Sequence, residues 1–325
     1  MPTINPIIQV SGSGGGSGGT YSRNVQVLTS SGTWNKPSGL VLLEVICIGG
    51  GGGGGSGAKA AAGSLARGGG GASPGNICWG SFRESDLSSS EDYIVGAGGV
   101  GGASQTTNGG GNNAGSDGGN TFFAGSAPNN ALVRADGGNG SIGFAAGSNS
   151  STGSIYSNNG HPTGYVGLAG ALGVANGNTS PATNQNFTFH YNNIFGAGAG
   201  GGVTTSNLAR AGGNGCRVYS GEDITISPAN GGAIDNNGGN GQNHYFKRIP
   251  YLMSFLGYSD VSVGVGTSAG GGGSSVTGNG GNGGNGGLYG GAGGGGGGAR
   301  NDVGNSGAGG NGGDGCIILI EHIVN

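Results

Sequence analysis

Two stretches hold most of the side chains able to grip a partner. In "HYFKRIPYLMSFLGY", residues 244–258, Tyr245, Phe246, Tyr251, Phe255 and Tyr258 surround Lys247-Arg248, the sole adjacent Lys-Arg pair of the chain. In "NFTFHYNNIF", residues 186–195, Phe187, Phe189 and Tyr191 alternate, so an extended backbone places them on one face. Aromatic rings and Arg are the usual anchors of recognition surfaces. The chemistry they suggest is non-covalent: gripping a protein loop, or stacking on the face of a sugar. Tyr156, His161 and Tyr165, in the Asn/Ser-rich stretch 148–165, are further candidates. The competing reading is that these aromatics cap a scaffold poor in apolar material, or join subunits.

Reaction chemistry finds less support. Matches to G-x-G-x-x-G at 49–57 arise because nearly every residue there is glycine, and "GAKA" lacks the Lys-Ser/Thr pair of a phosphate loop. His161, His190, His244 and His322 are not at metal-ligand spacings, and no Ser/His/Asp order stands out. Cys47, Cys78, Cys216 and Cys316 lie far apart with no C-x-x-C pair, so they are expected as buried free thiols. The expectation is a protein that is not an enzyme and carries no metal and no cofactor.

The elements that must position the aromatic stretches are unusual. Of 325 residues 90 are glycine, only 8% are charged and 33% are hydrophobic, which rules out a large conventional core. In "GNGGNGGNGG", residues 278–287, Asn279, Asn282 and Asn285 recur every third position. Ala97, Val100 and Ala103 do the same, as do Ala308, Asn311 and Asp314. A period of three fits neither an α-helix nor a strand but does fit the polyproline II backbone. Nine prolines and an interrupted frame argue against collagen. Such a helix makes no internal hydrogen bonds, so each backbone group must find its partner on a neighbouring segment. Gly/Ser-rich chains are often flexible coils, but the fixed period and the scattered aromatics favour order.

Apolar stretches bracket the glycine blocks. Val25 to Leu28 and Leu40 to Ile48 read as strands around a turn at Lys36-Pro37-Ser38-Gly39, a hairpin-like start. Cys316 to Val324 reads as a third strand leaving the last glycine block. The expected fold is mainly irregular and β, with little or no α-helix: a glycine-rich sandwich of polyglycine II-like helices clamped by a small β-sheet made from both ends of the domain. Residues 1–19 read as an attachment segment and Gly/Ser linker, with Ile4, Ile7, Ile8 and Val10 as docking candidates. Residues 20–325 form the glycine-rich domain, with insertions at 141–168, 180–195 and 242–263. A net charge of −3 with 11 Lys plus Arg gives no basic stripe for nucleic acid. The apolar run 40–48 contains Glu44 and is too short to span a bilayer, and the N-terminus shows no secretory signal, so synthesis in a cytoplasm is expected.

The order of aliphatic strand, "SSGTWNKPSG", aliphatic strand and polyglycine run resembles the opening of the glycine-rich domain of bacteriophage tail fibres and tail-tip adhesins. "DYIVGAGGVGG" at 92–102, "DGGNTFFAG" at 117–125 and the glycine-to-strand exit at 309–320 extend the likeness over most of residues 25–325. The resemblance implies a polyglycine helix sandwich in a virion, on a tail fibre or tail tip. It also implies variable loops that recognise a host receptor, an outer-membrane protein or polysaccharide. The partners expected are that receptor, another virion protein bound through the N-terminus, and further copies in a homotrimer. The long insertions depart from the family pattern, so loop details do not carry over. Two other readings stand beside this one: a virion decoration fibre without a receptor, and an ice-binding glycine bundle. The lack of an evident flat Thr or Ala array weighs against the last.

Overall fold

The computed structural model describes residues 21–109, 111–124, 131–143, 196–215, 229–242 and 266–325, with the backbone of 163–167, 193–194, 219–220 and 224–225. Its strands are β1 (Tyr21–Leu28), β2 (Gly32–Asn35), β3 (Leu40–Ile48), β4 (Lys59–Ala60), β5 (Ile77–Arg83), β6 (Ser90–Ile94) and β7 (Thr121–Phe123). There follow β8 (Val133–Ala135), β9 (Thr163–Gly167), β10 (Asn193–Ile194), β11 (Tyr219–Ser220), β12 (Ile224–Thr225), β13 (Ala299–Arg300) and β14 (Cys316–Val324). The described residues contain one 3-10 turn, Glu84–Asp86, and no α-helix.

The strands build a clamp of two layers. One sheet runs β1-β14-β3-β5-β9-β10 and the other β2-β6-β7-β8. β3 and β14 are near-continuous apolar runs because they are buried on both sides, as central strands require. Their inward face sets Leu43, Val45 and Cys47 with Ile317 and Leu319 against Trp34, Phe123, Val133 and Ala135 of the second layer. Trp34 meets Phe123 edge-on, with ring centroids 5.8 Å apart and planes at 63°. The Trp34 Nε1–H donates to Glu321 at 2.6 Å, and Asn24 and Gln26 donate to the same carboxylate at 2.6 and 2.8 Å. Glu321 is 2% exposed, so these charge-assisted bonds are what make its burial tolerable. In the same motif Lys36 Nζ reaches Glu84 Oε1 at 2.7 Å and the Leu87 carbonyl at 3.0 Å. Gly39, at φ +74, turns the chain into β3 where a Cβ would be strained.

The hairpin-like start is corrected by this topology. β1 and β3 do not pair; β14 lies between them, antiparallel to both, with Val25 opposite Ile320 and Val45 opposite Leu319. The cause is β2, a four-residue strand, GTWN, with a single enclosed side chain and no apolar run to mark it in the sequence. It leaves the first sheet to pair with β6 in the second, and Trp34 is buried between the layers. The gap left between β1 and β3 takes the C-terminal strand. The expected closure, one sheet joining both ends of the chain, is present.

The glycine blocks emerge from this clamp as a packed array. Segment 49–58 donates backbone hydrogen bonds in strict rotation, at 2.8 to 3.0 Å. Gly49, Gly52, Gly55 and Ala58 bond to 67–76; Gly50, Gly53 and Ser56 to 113–119; Gly51, Gly54 and Gly57 to 307–313. Its carbonyls accept, again by turns, from 99–102, 138–141 and 293–299. A strand has partners on two sides, whereas this segment has six around it. Segments 290–299 and 266–275 are enclosed in the same way, the first sharing neighbours with 49–58 and the second extending the row. Donors turning through about 120° per residue are what a backbone of three residues per turn produces. Glycine is required by the close approach: a Cβ on Gly54 would land inside the Gly294 carbonyl oxygen, and one on Gly51 inside that of Gly291.

Candidate interaction surface

Most of the aromatic and attachment candidates read from the sequence lie outside the described residues: Tyr245, Phe246, Lys247, Arg248, Tyr251, Phe255, Tyr258, Phe187, Phe189, Tyr191, Tyr156 and His161, and Ile4, Ile7, Ile8 and Val10 at the N-terminus. Tyr165 is placed only by its backbone, on β9 opposite Ile77. The array does place the ends of the segments that carry two of the groups. Gly241 and Gln242 bond beside Thr267, and Ala197 bonds beside Ala72, all at the end of the array next to the clamp. The stretches before 196 and between 242 and 266 therefore join the array at one pole. The opposite pole carries short turns, where Lys59 Nζ donates to the Thr106 carbonyl at 3.0 Å and to Asn305 Oδ1 at 2.9 Å.

The period-three residues build a single face. Segments 237–242, 279–287, 305–314 and 97–103 lie side by side in that order, joined by backbone bonds such as Gly238 to Asn282, Gly283 to Ala308 and Gly309 to Gly102. Asn237, Asn240, Asn279, Asn282, Asn285, Asn311 and Asp314 are exposed along it, with Ala97, Val100 and Ala103 at one border. Segments 68–76 and 196–203 across the array are buried throughout.

Each amide on the face has a fixed task. An outer segment lacks a neighbour on its solvent side, so one backbone N–H in three has no lattice partner. Asparagine from the adjacent row accepts it. Asn311 N–H donates to Asn285 Oδ1 at 2.9 Å, Asn285 N–H to Asn240 Oδ1 at 2.9 Å, and Gly101 N–H to Asn311 Oδ1 at 2.8 Å. The row alongside repeats this, with Ala308 bonded to Asn282 and Asn282 to Asn237. Asp314 serves Gly98 at 2.8 Å. The sequence displayed the spacing of these residues but not that they form one surface. A shallow polar depression of about 370 Å³ opens in the face, lined by Asn237, Asn279, Asn282, Asn305, Asp235 and Ser104.

Buried titratable groups sit instead in the clamp. His322 Nε2 lies 2.7 Å from Glu44 Oε1, both nearly enclosed. Cys47 and Cys78 face each other in register across β3 and β5, and Cys316 is opposite Ile48. All three are free and buried, as expected; Cys216 lies outside the described residues. Burial pushes the Cys78 thiol up to about 12, with Asp136 adding to the shift and Arg134 opposing it. Burial also raises Cys47 and Cys316. Thiols so held are poor nucleophiles. Among the described residues no group of His, Cys, Asp and Glu is placed to hold a metal ion, and no helix is long and apolar enough to cross a membrane.

No curated protein matches the chain. A family model for a glycine-rich domain matches residues 24–248, from β1 through the entry turn and the first glycine segments of the array. With that match over most of its length and a body made of packed glycine segments, the chain belongs to the glycine-rich domain family.

Proposed function

We propose that the protein is a non-enzymatic bacteriophage adhesin of a tail fibre or tail tip, which attaches the virion to a host outer-membrane protein or polysaccharide through loops held on the glycine array. The observation that carries the reading is polarity. Tyr21 pairs with Val324 at the end of β1 and β14 away from the array, while Leu28 and Ile317 lie at the array itself. The described chain thus begins at the outer edge of the clamp with the rigid array on the other side, and the stretches before 196 and between 242 and 266 join that array at its clamp end, around the scaffold rather than at its far tip. Loops on a rigid scaffold are a common way to present a binding surface.

The test is labelling of host cells by the fluorescently tagged protein beside a version with residues 244–258 replaced by a Gly/Ser linker. Labelling by the intact protein alone, with both proteins folded, supports the reading; failure of the intact protein to label any host defeats it and favours a decoration fibre. Attachment is tested separately. Deleting residues 1–19 leaves the β1 ladder whole, so incorporation into particles should be lost while the fold is retained. Normal incorporation would refute the docking role of Ile4, Ile7, Ile8 and Val10.

A further inference from the structure

The asparagine face offers a second recognition surface, made of the scaffold itself. On Asn237, Asn240, Asn282, Asn285 and Asn311 the side-chain oxygen accepts a backbone N–H of the adjacent row, and this decides how the amide points. Asn282, Asn285 and Asn311 accept from Ala308, Asn311 and Gly101, so rotation of any of them would set an NH2 group against an N–H donor. Their NH2 groups are held away from the lattice. The backbone carbonyls of Asn282, Asn285, Asn311 and Ala308 are engaged sideways by Gly238, Gly241, Gly286 and Gly283. What the face has left to offer is an ordered set of amide N–H donors, repeating about every 9 Å along each segment, beside the carbonyls of Gly283, Gly286, Gly309 and Gly312, which accept no backbone N–H among the described residues. Its exposed carboxylates are Asp235 and Asp314. Beside the amides runs an apolar border in which Val100 is 66% exposed.

We propose that this face binds a neutral, hydroxyl-rich polysaccharide lying along the amide rows. Hydroxyl and ring oxygens accept from the fixed N–H groups, and the C–H face of the sugars packs on Ala97, Val100 and Ala103. The spacing is on the scale of two linked sugar rings. Two observations choose this occupant. The rows carry amide donors and glycine carbonyl acceptors together, which hydroxyl groups, able both to donate and to accept, can satisfy in one pose, and the carboxylates repel an anionic polymer. Because the amides are already oriented by the lattice, binding does not have to order them. The inference does not rest on the loop-borne recognition proposed above.

The experiment is native-gel affinity electrophoresis of the full chain through dissolved dextran, mannan or galactomannan, with alginate as the acidic comparison. The discriminating variant is Asn282→Asp, Asn285→Asp and Asn311→Asp together. Each carboxylate keeps the oxygen that its backbone N–H needs and replaces the outward NH2. The charge control places Asn108→Asp, Thr205→Asp and Ser206→Asp on the turns of the far pole. The intact chain and the control should be retarded by at least one neutral polysaccharide and not by alginate, and the triple amide variant should lose at least about tenfold in affinity at an unchanged thermal midpoint. Val100→Glu, which alters no lattice bond, should weaken binding even if the triple variant does not fold. No retardation of the intact chain, or equal retardation of the amide variants, overturns the proposal. Loss on replacing 244–258 alone moves the binding to that loop and also overturns it, leaving the adhesin reading intact. Thermal hysteresis without polysaccharide binding assigns the face to ice and overturns it as well.

Discussion

The clamp and the glycine array achieve order by opposite means. In the clamp, Leu43, Phe123 and Ile317 are fully buried and stability follows the apolar area they remove from water. In the array the central segments have almost no side chains, and most backbone groups are bonded to a neighbour approached closely enough to exclude a Cβ. The clamp is therefore sensitive to what is taken away and the array to what is added. Ordering glycine is entropically expensive, so the array depends on the clamp to bring its segments together.

The sharpest test of that contrast is Gly54→Val, at the middle of a segment enclosed by six others. It should destabilise by more than about 4 kcal/mol, so that no cooperative thermal transition of the native protein is recovered. Ala97→Val on the exposed face should shift stability by less than about 0.5 kcal/mol in the same assay. If the two behave alike, close packing is not what specifies glycine. Removing material from the clamp comes next: Phe123→Ala should cost about 3–5 kcal/mol in denaturant unfolding. Trp34→Phe keeps the ring and removes one donor from the buried Glu321 carboxylate, and should cost about 1–3 kcal/mol.

The thiols give the pH dependence of the clamp. Cys78 is raised from an ordinary 9 to about 12, so the folded state retains a proton that the unfolded chain gives up. Its stabilising contribution is whole below pH 9 and declines as pH rises toward 12, by roughly 1 kcal/mol per pH unit. Cys47 and Cys316 act in the same direction. Denaturant midpoints at pH 8 and pH 10 check this, and a midpoint that rises with pH would contradict it. The smallest effect belongs to the array's surface. Asn285→Ala frees the Asn311 N–H, but water can replace the lost oxygen, so the cost should stay below about 1 kcal/mol in thermal unfolding.

Legibility followed the range of the interactions involved. β3 and β14 were readable to the residue because aliphatic runs between a Pro/Gly turn and polyglycine leave few alternatives. β2 was missed: its four residues show a burial pattern with one enclosed side chain, Trp34, and the partners that enclose it come from residues 92–123 and from Glu321. The amide face was half legible. The spacing of Asn279, Asn282 and Asn285 marked one edge of one segment, but the N–H groups they cap belong to Asn305, Ala308 and Asn311, some 26 residues further on.

By itself the sequence determined the three-residue period, the requirement that most of the chain bond to neighbours rather than to itself, and the aliphatic strands at either end. Only the tertiary structure decided that β14 separates β1 from β3, which segments surround 49–58, and which way each asparagine amide points. The physical reason is degeneracy. A three-fold glycine backbone presents equivalent donors and acceptors in every direction, so any glycine segment can sit beside any other, and the choice among neighbours is made by the turns and the clamp that hold their ends.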